Sequence, residues 1–206
     1  MDRREALKNI TLSTGSVISA GTFISLLQSC QKVETIQWVP AFFNNEEAVT
    51  VNEIVNIIIP ASDTPGAIDV AVPQFIDLLL KDVFDEDVQS QFRNGIVAFT
   101  KKFKAEKSSD FIKSSQEDQQ SFVESLYNLS NDKADAILKL VKAEEAPAGK
   151  EEDYTLYKFL VSLRDLTIKS YFSSEKVGEE ILTYDPIPGR QEGCVPVEEV
   201  GNVYSL

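Results

Sequence analysis

Histidine is absent from the 206 residues, and no other feature of the composition excludes as much. Without it there is no Ser-His-Asp triad, no His-containing zinc site and no CxxCH haem attachment. Two cysteines, Cys30 and Cys194, are too few for a four-cysteine metal or iron–sulfur centre. The nine glycines form neither GxGxxG nor GxxxxGK[ST], so the usual dinucleotide and nucleotide cradles are missing. Positive charge is also scarce: 33 acids stand against 20 bases, a net charge of -13. Nucleic acid is therefore not an expected partner, because binding it requires clustered Lys and Arg against phosphates. A site built only from carboxylates stays open, and it predicts activity from the isolated chain.

The opening "MDRREALKNITLSTGSVISAGTFISLLQSC" has the order of an export signal: a basic region, an apolar region and a small residue before a boundary. The apolar stretch from Ile10 to Leu27 is interrupted by Ser, Thr and Gly, too polar for a comfortable bilayer span. Arg3 and Arg4, followed by Leu7 and Lys8, resemble the twin-arginine motif; an ordinary secretory signal is the simpler alternative. Leu27-Gln28-Ser29-Cys30 resembles a lipoprotein cleavage box. Cys30 stands directly after the apolar region, which favours acylation over a buried thiol or a disulfide with Cys194. The expected product begins at an acylated Cys30 and sits on the periplasmic side of a cell-envelope membrane.

The remainder reads as helix. Residues 30–49 are expected to be a linker, and Thr50 with Glu53 forms a candidate capping box. Val51, Ile54, Val55, Ile58 and Ile59 then recur on one face until Pro60 ends the run. Val72, Phe75, Ile76, Leu79, Leu80 and Val83 repeat the pattern, with Pro73 in a first turn. Phe92, Ile96, Phe99 and Phe103 make a third stripe. Ser115 caps a fourth, with Phe122, Val123, Leu126 and Leu129 inward. Ile137, Leu138, Leu140 and Val141 mark a fifth, and Tyr157, Leu160, Val161, Leu163, Leu166, Ile168 and Tyr171 a sixth. The periodicity predicts one compact all-α domain of about six helices over residues 50–172. An export signal (1–29) and the linker precede it. An irregular Pro/Gly-rich tail, 173–206, follows, with Tyr184, Ile187, Val195, Val197 and Tyr204 spaced as anchors of an extended segment that wraps over a surface.

Between the first two helices lies Ser62-Asp63-Thr64-Pro65-Gly66. Pro65-Gly66 suits the centre of a type II turn, where Gly accepts positive φ. A helix–turn–helix corner accounts for every residue, and such a corner can present Asp63 and Thr64 to a partner.

"IIIPASDTPGA" followed by "VPQFIDLLL", and "LRDLTIKSYFSSEKVGEEILTYDPIPGRQEGC" near the other end, resemble the opening and closing segments of the small third subunit of membrane-bound gluconate 2-dehydrogenase. The resemblance implies a non-catalytic chain, with no cofactor of its own, that serves assembly or export of its partner. The implied partner is a large FAD-containing dehydrogenase of the glucose–methanol–choline type, in some complexes with a haem c cytochrome. A twin-arginine signal suits folded, cofactor-loaded cargo, so the signal on this chain would serve the flavoprotein as passenger. The expected partner interface comprises Asp63, Thr64, Pro65, Gly66, Tyr171, Phe172, Tyr184 and Cys194, the last as an intersubunit bridge or a buried free thiol. A stand-alone helical envelope lipoprotein, binding a ligand or acting as a scaffold, is the alternative. The substrate is not expected to be legible here, because specificity would reside in the partner.

Overall fold

Asn44 opens the first helix rather than Thr50. Its side chain accepts from the Glu47 N–H at 2.9 Å, and the Glu47 carboxylate accepts from the Asn44 N–H at 2.9 Å. The computed structural model describes residues 36–185, 187, 189 and 194–205; Arg3, Arg4 and Cys30 lie outside them. In it α1 runs Asn45–Ile58 and breaks at Pro60. Thr50 is buried in mid-helix and returns its hydroxyl to the Glu46 carbonyl at 2.8 Å. Asn44…Glu47 and Thr50…Glu53 have the same spacing. The earlier pair wins because starting there buries Phe42 and Phe43 at the helix entrance.

The other helices are α2 (Val72–Asp82), α3 (Glu86–Lys107), α4 (Gln116–Tyr127), α5 (Asn131–Val141), α6 (Glu151–Phe172), α7 (Glu175–Glu180) and α8 (Val197–Val200), with a 3-10 turn at Phe111–Lys113. The starts of α1 to α4 have a local cause. Pro73 occupies the first turn of α2, and the Asp85 carboxylate caps α3 by accepting from the Val88 N–H. Ser115 caps α4 as its sequence predicts. The described residues form an all-α domain, as expected.

At the centre α6 packs on α3 most extensively, and also on α2, α1, α5 and α7. It buries Leu156, Phe159, Leu160, Leu163, Thr167, Ser170 and Tyr171. These residues share one face of the helix, about 120° wide at about 100° per residue, whereas Tyr157, Val161, Leu166 and Ile168, which the sequence also places inward, are only half-buried. Gly95 makes the α3–α6 approach possible: a Cβ there would run into the Cβ of Phe159. Phenylalanine does most of the filling. Phe99 meets Phe111 edge to face at 4.9 Å, Phe103 meets Phe122 at 4.9 Å, and Phe92 meets Phe159 at 5.2 Å. Each such buried ring stabilises by about 1.5–3 kcal/mol through burial, and the edge contacts add to that.

Residues 41–43, expected to be linker, are part of this core. The buried Asp77 carboxylate on α2 accepts backbone N–H groups from Ala41 (2.6 Å), Phe42 (3.1 Å) and Phe43 (2.8 Å). Arg93 on α3 completes the hold. It donates to Glu47 Oε2 at 2.7 Å and to the Phe42 carbonyl at 2.6 Å, with its guanidinium 4.2 Å from the Phe42 ring centroid. Helix α5 departs from expectation in the opposite sense. None of its residues is buried, because it lies on one side of α6 with Leu138 turned outward.

Candidate docking surface

The loop from Pro60 to Ala71 is a built corner. The Ala67 N–H donates to the Ile59 carbonyl at 2.9 Å and closes it; the Ser62 N–H donates to the Thr64 carbonyl at 3.0 Å inside it. Gly66 is not in the left-handed region, so the predicted type II turn is absent. Its lack of a side chain serves close approach instead. A Cβ at Gly66 would lie 2.5 Å from the Ala61 nitrogen and 3.0 Å from the Pro60 carbonyl carbon. The Gly66 N–H donates to Asp69 Oδ2 at 2.8 Å, which fixes the second half of the corner.

Tyr171, at the end of α6, donates its hydroxyl proton to the Pro65 carbonyl at 2.7 Å. Two parts of the expected interface are thereby joined to each other. The Tyr171 ring is buried and holds the corner against its own domain, so it is not a surface anchor. Phe172, stacked edge-on against it at 5.5 Å, is the one that faces outward. Asp63 and Thr64 are exposed at the tip, Pro65 is half-buried and Gly66 is buried.

After α7, Ile181 and Leu182 still pack on the core, and beyond them the tail bonds to itself. The Thr183 N–H donates to the Val203 carbonyl (2.9 Å) and the Ser205 N–H to the Thr183 carbonyl (3.0 Å), a single parallel bridge. Asn202 Nδ2 donates to the Ile181 carbonyl at 2.7 Å. Tyr184, Ile187, Val197, Val203 and Tyr204 remain exposed, and Cys194 is an exposed free thiol. Among the described residues no hydrogen bond joins this part of the tail to the corner. Val197 stands in α8, a single helical turn, rather than in an extended strand.

Elsewhere a groove of about 600 Å³ between α1 and α3 is lined by Glu46, Glu47, Lys101, Lys104, Asp110 and Lys113 among others. Its lysines are engaged: Lys104 and Lys113 both bind Asp110 (2.8 and 2.9 Å), and Lys101 binds Glu152 (2.6 Å). The hydrogen bonds from Lys104 and then Lys113 hold the Asp110 carboxyl down to about 2. Among the described residues no three metal-ligating side chains cluster, and no helix is long and apolar enough to cross a membrane. Sequence reasoning missed Asp77 and Arg93. The signal for the first was an acid set inside the apolar run "FIDLLL"; Arg93 gave none.

A family model described as gluconate 2-dehydrogenase subunit 3 matches residues 45–189. The chain belongs to that family. No curated protein and no solved structure matches it. The match takes in α1 to α7, the corner with its Tyr171 clamp, and the tail as far as Gly189. Cys30, the Phe42–Phe43 pair and Cys194 lie outside the matched span. A subunit of gluconate 2-dehydrogenase works within a complex, which makes outward apolar residues such as Phe172 the natural places to look for its contacts.

Proposed function

We propose that this chain is the non-catalytic small subunit of a membrane-associated, FAD-dependent sugar or sugar-acid dehydrogenase, and that it assembles and exports the flavoprotein subunit. The observation that carries the reading is the family match across the helical domain. Hydride transfer to FAD belongs to a large partner of the glucose–methanol–choline type, and a haem c cytochrome takes electrons onward where one is present. Arg3 and Arg4 direct the folded pair across the membrane, and Cys30 anchors it on the periplasmic side. The tip residues Asp63 and Thr64, with Phe172, Tyr184 and Cys194, supply contact to the partner; Pro65, Gly66 and Tyr171 keep the tip in shape. An obligate interface of this kind buries about 2,000 Å² or more.

Replacing both Arg3 and Arg4 with Lys tests the passenger arrangement. The expected result is flavoprotein, with FAD bound, retained in the cytoplasm together with this chain. Normal export of the flavoprotein while this chain stays behind would overturn it.

A further inference from the structure

We propose that α5 is a strap that opens from α6 while the rest of the domain stays folded, and that the Tyr154 hydroxyl is its latch. Tyr154, Lys158 and Val161 follow one another at helical spacing on the side of α6 away from Phe159, Leu163 and Thr167, which face the core. All three are half-buried. The Tyr154 hydroxyl shares its proton between the carbonyls of Ala143 at 3.1 Å and Glu144 at 3.3 Å, just past the end of α5 at Val141. It accepts from Lys158 Nζ at 2.5 Å, and that ammonium lies 4.8 Å from the Tyr154 ring centroid. The back of α6 thereby holds the C-terminal end of the strap.

Little else holds it. Among the described residues, no side chain of α5 is buried and none makes a hydrogen bond or ion pair, Asp132, Lys133, Asp135 and Lys139 included. Ser130 precedes the helix without capping it. Ile137, Leu140 and Val141 are half-buried, and among the described residues none of them joins the phenylalanine core. A helix of 11 residues is marginal on its own in water, so α5 depends on what it gains from α6. Releasing α5 forfeits one shared hydrogen bond and a half-buried contact, whereas releasing α3 or α6 forfeits the buried rings. Openings of such different cost occur separately.

Both ends are built to swing. Asn128 leaves α4 outside the helical region, at φ -80° and ψ 71°. Gly149 closes the far side at φ 78°, with nothing within 4 Å of where a Cβ would stand. Glycine crosses between backbone wells that other residues avoid. Opening bares Ile137, Leu140 and Val141 on the strap together with Val161 on α6, a second apolar surface that the closed form keeps half-covered.

The test is amide exchange of the full chain, followed residue by residue in low and rising urea. Residues 135–141 should open together, at one rate, roughly 100-fold faster than Phe99 and Leu163 and with little dependence on urea. Tyr154→Phe keeps the ring and removes the latch; it should speed exchange several-fold throughout 135–141 and leave α1 and α3 unchanged. Gly149→Ala strains the closed form and should act in the same direction. Exchange of α5 in step with α3 and α6, with the same steep response to urea, would overturn the strap and make the domain one cooperative unit. Faster exchange in the Tyr154→Phe variant confined to the last turn of α5 would overturn it too, since that is fraying rather than opening. No response to Tyr154→Phe would overturn the latch.

Discussion

Residues 41–44, which lead into α1, and residues 183–205 both read as sequence without a helical period. The structure treats them oppositely. The first places Phe42 and Phe43 in the core, with the backbone there held by Asp77 and Arg93. The second holds itself by a bridge at Thr183 and leaves Tyr184, Ile187 and Tyr204 in solvent. Each carries two aromatic rings, so their number does not separate them. What separates them is whether a charged side chain elsewhere satisfies the backbone that must be buried along with the rings, since unmet N–H groups cost more than the rings return.

That contrast predicts a graded series of stability losses, each read from denaturant midpoints. Phe43→Ala should cost about 3–5 kcal/mol. Asp77→Ala should cost about 3 kcal/mol or more, because it strands the buried N–H groups of Phe42 and Phe43 and the part-buried one of Ala41. If either behaves like a surface change, the lead-in is not part of the core. Gly66→Ala should cost about 1–3 kcal/mol through collision with the Ala61 backbone. A neutral result would mean that the corner relaxes easily. Tyr171→Phe removes one hydrogen bond while keeping the ring, so a loss of about 1 kcal/mol is expected; a larger one would make the Pro65 contact the corner's main support. Tyr204→Ala in the tail should stay within about 0.5 kcal/mol in the isolated chain.

The smallest effect concerns pH. The lysine hydrogen bonds and charges around Asp110 depress its folded-state pKa to about 2 from 3.8. A depressed carboxylate contributes stability above its unfolded pKa and loses it as pH falls through the folded one. The contribution should therefore be complete above about pH 4 and decline toward pH 2. It should be slight, because the group lies at the surface, where solvent screens the ion pairs. Carboxyl-carbon shifts of Asp110 followed by NMR check this; a midpoint near 4 would mean that the two lysines do not hold it in solution.

The helices were legible because apolar spacing survives wherever one face is buried: Phe92, Ile96, Phe99 and Phe103 of α3 are all core residues. Periodicity failed at one helix, because it does not count neighbours. Helix α5 has apolar spacing yet buries nothing, because α6 is its principal neighbour. The corner was legible in its boundaries but not in its geometry. Gly66 was read for positive φ and is there for space, a distinction that only the position of Ala61 reveals. Of the expected surface, Asp63, Thr64, Phe172, Tyr184 and Cys194 are accessible. Tyr171 is turned inward by a bond to a residue 106 positions away, which no local pattern encodes.

The most direct test of the account is to purify the complex from gently solubilised membranes through a C-terminal tag on this chain, then record its absorbance and components. A large co-purifying subunit with a flavin spectrum is the predicted result. A colourless chain recovered alone, under conditions that keep other membrane complexes intact, would contradict it.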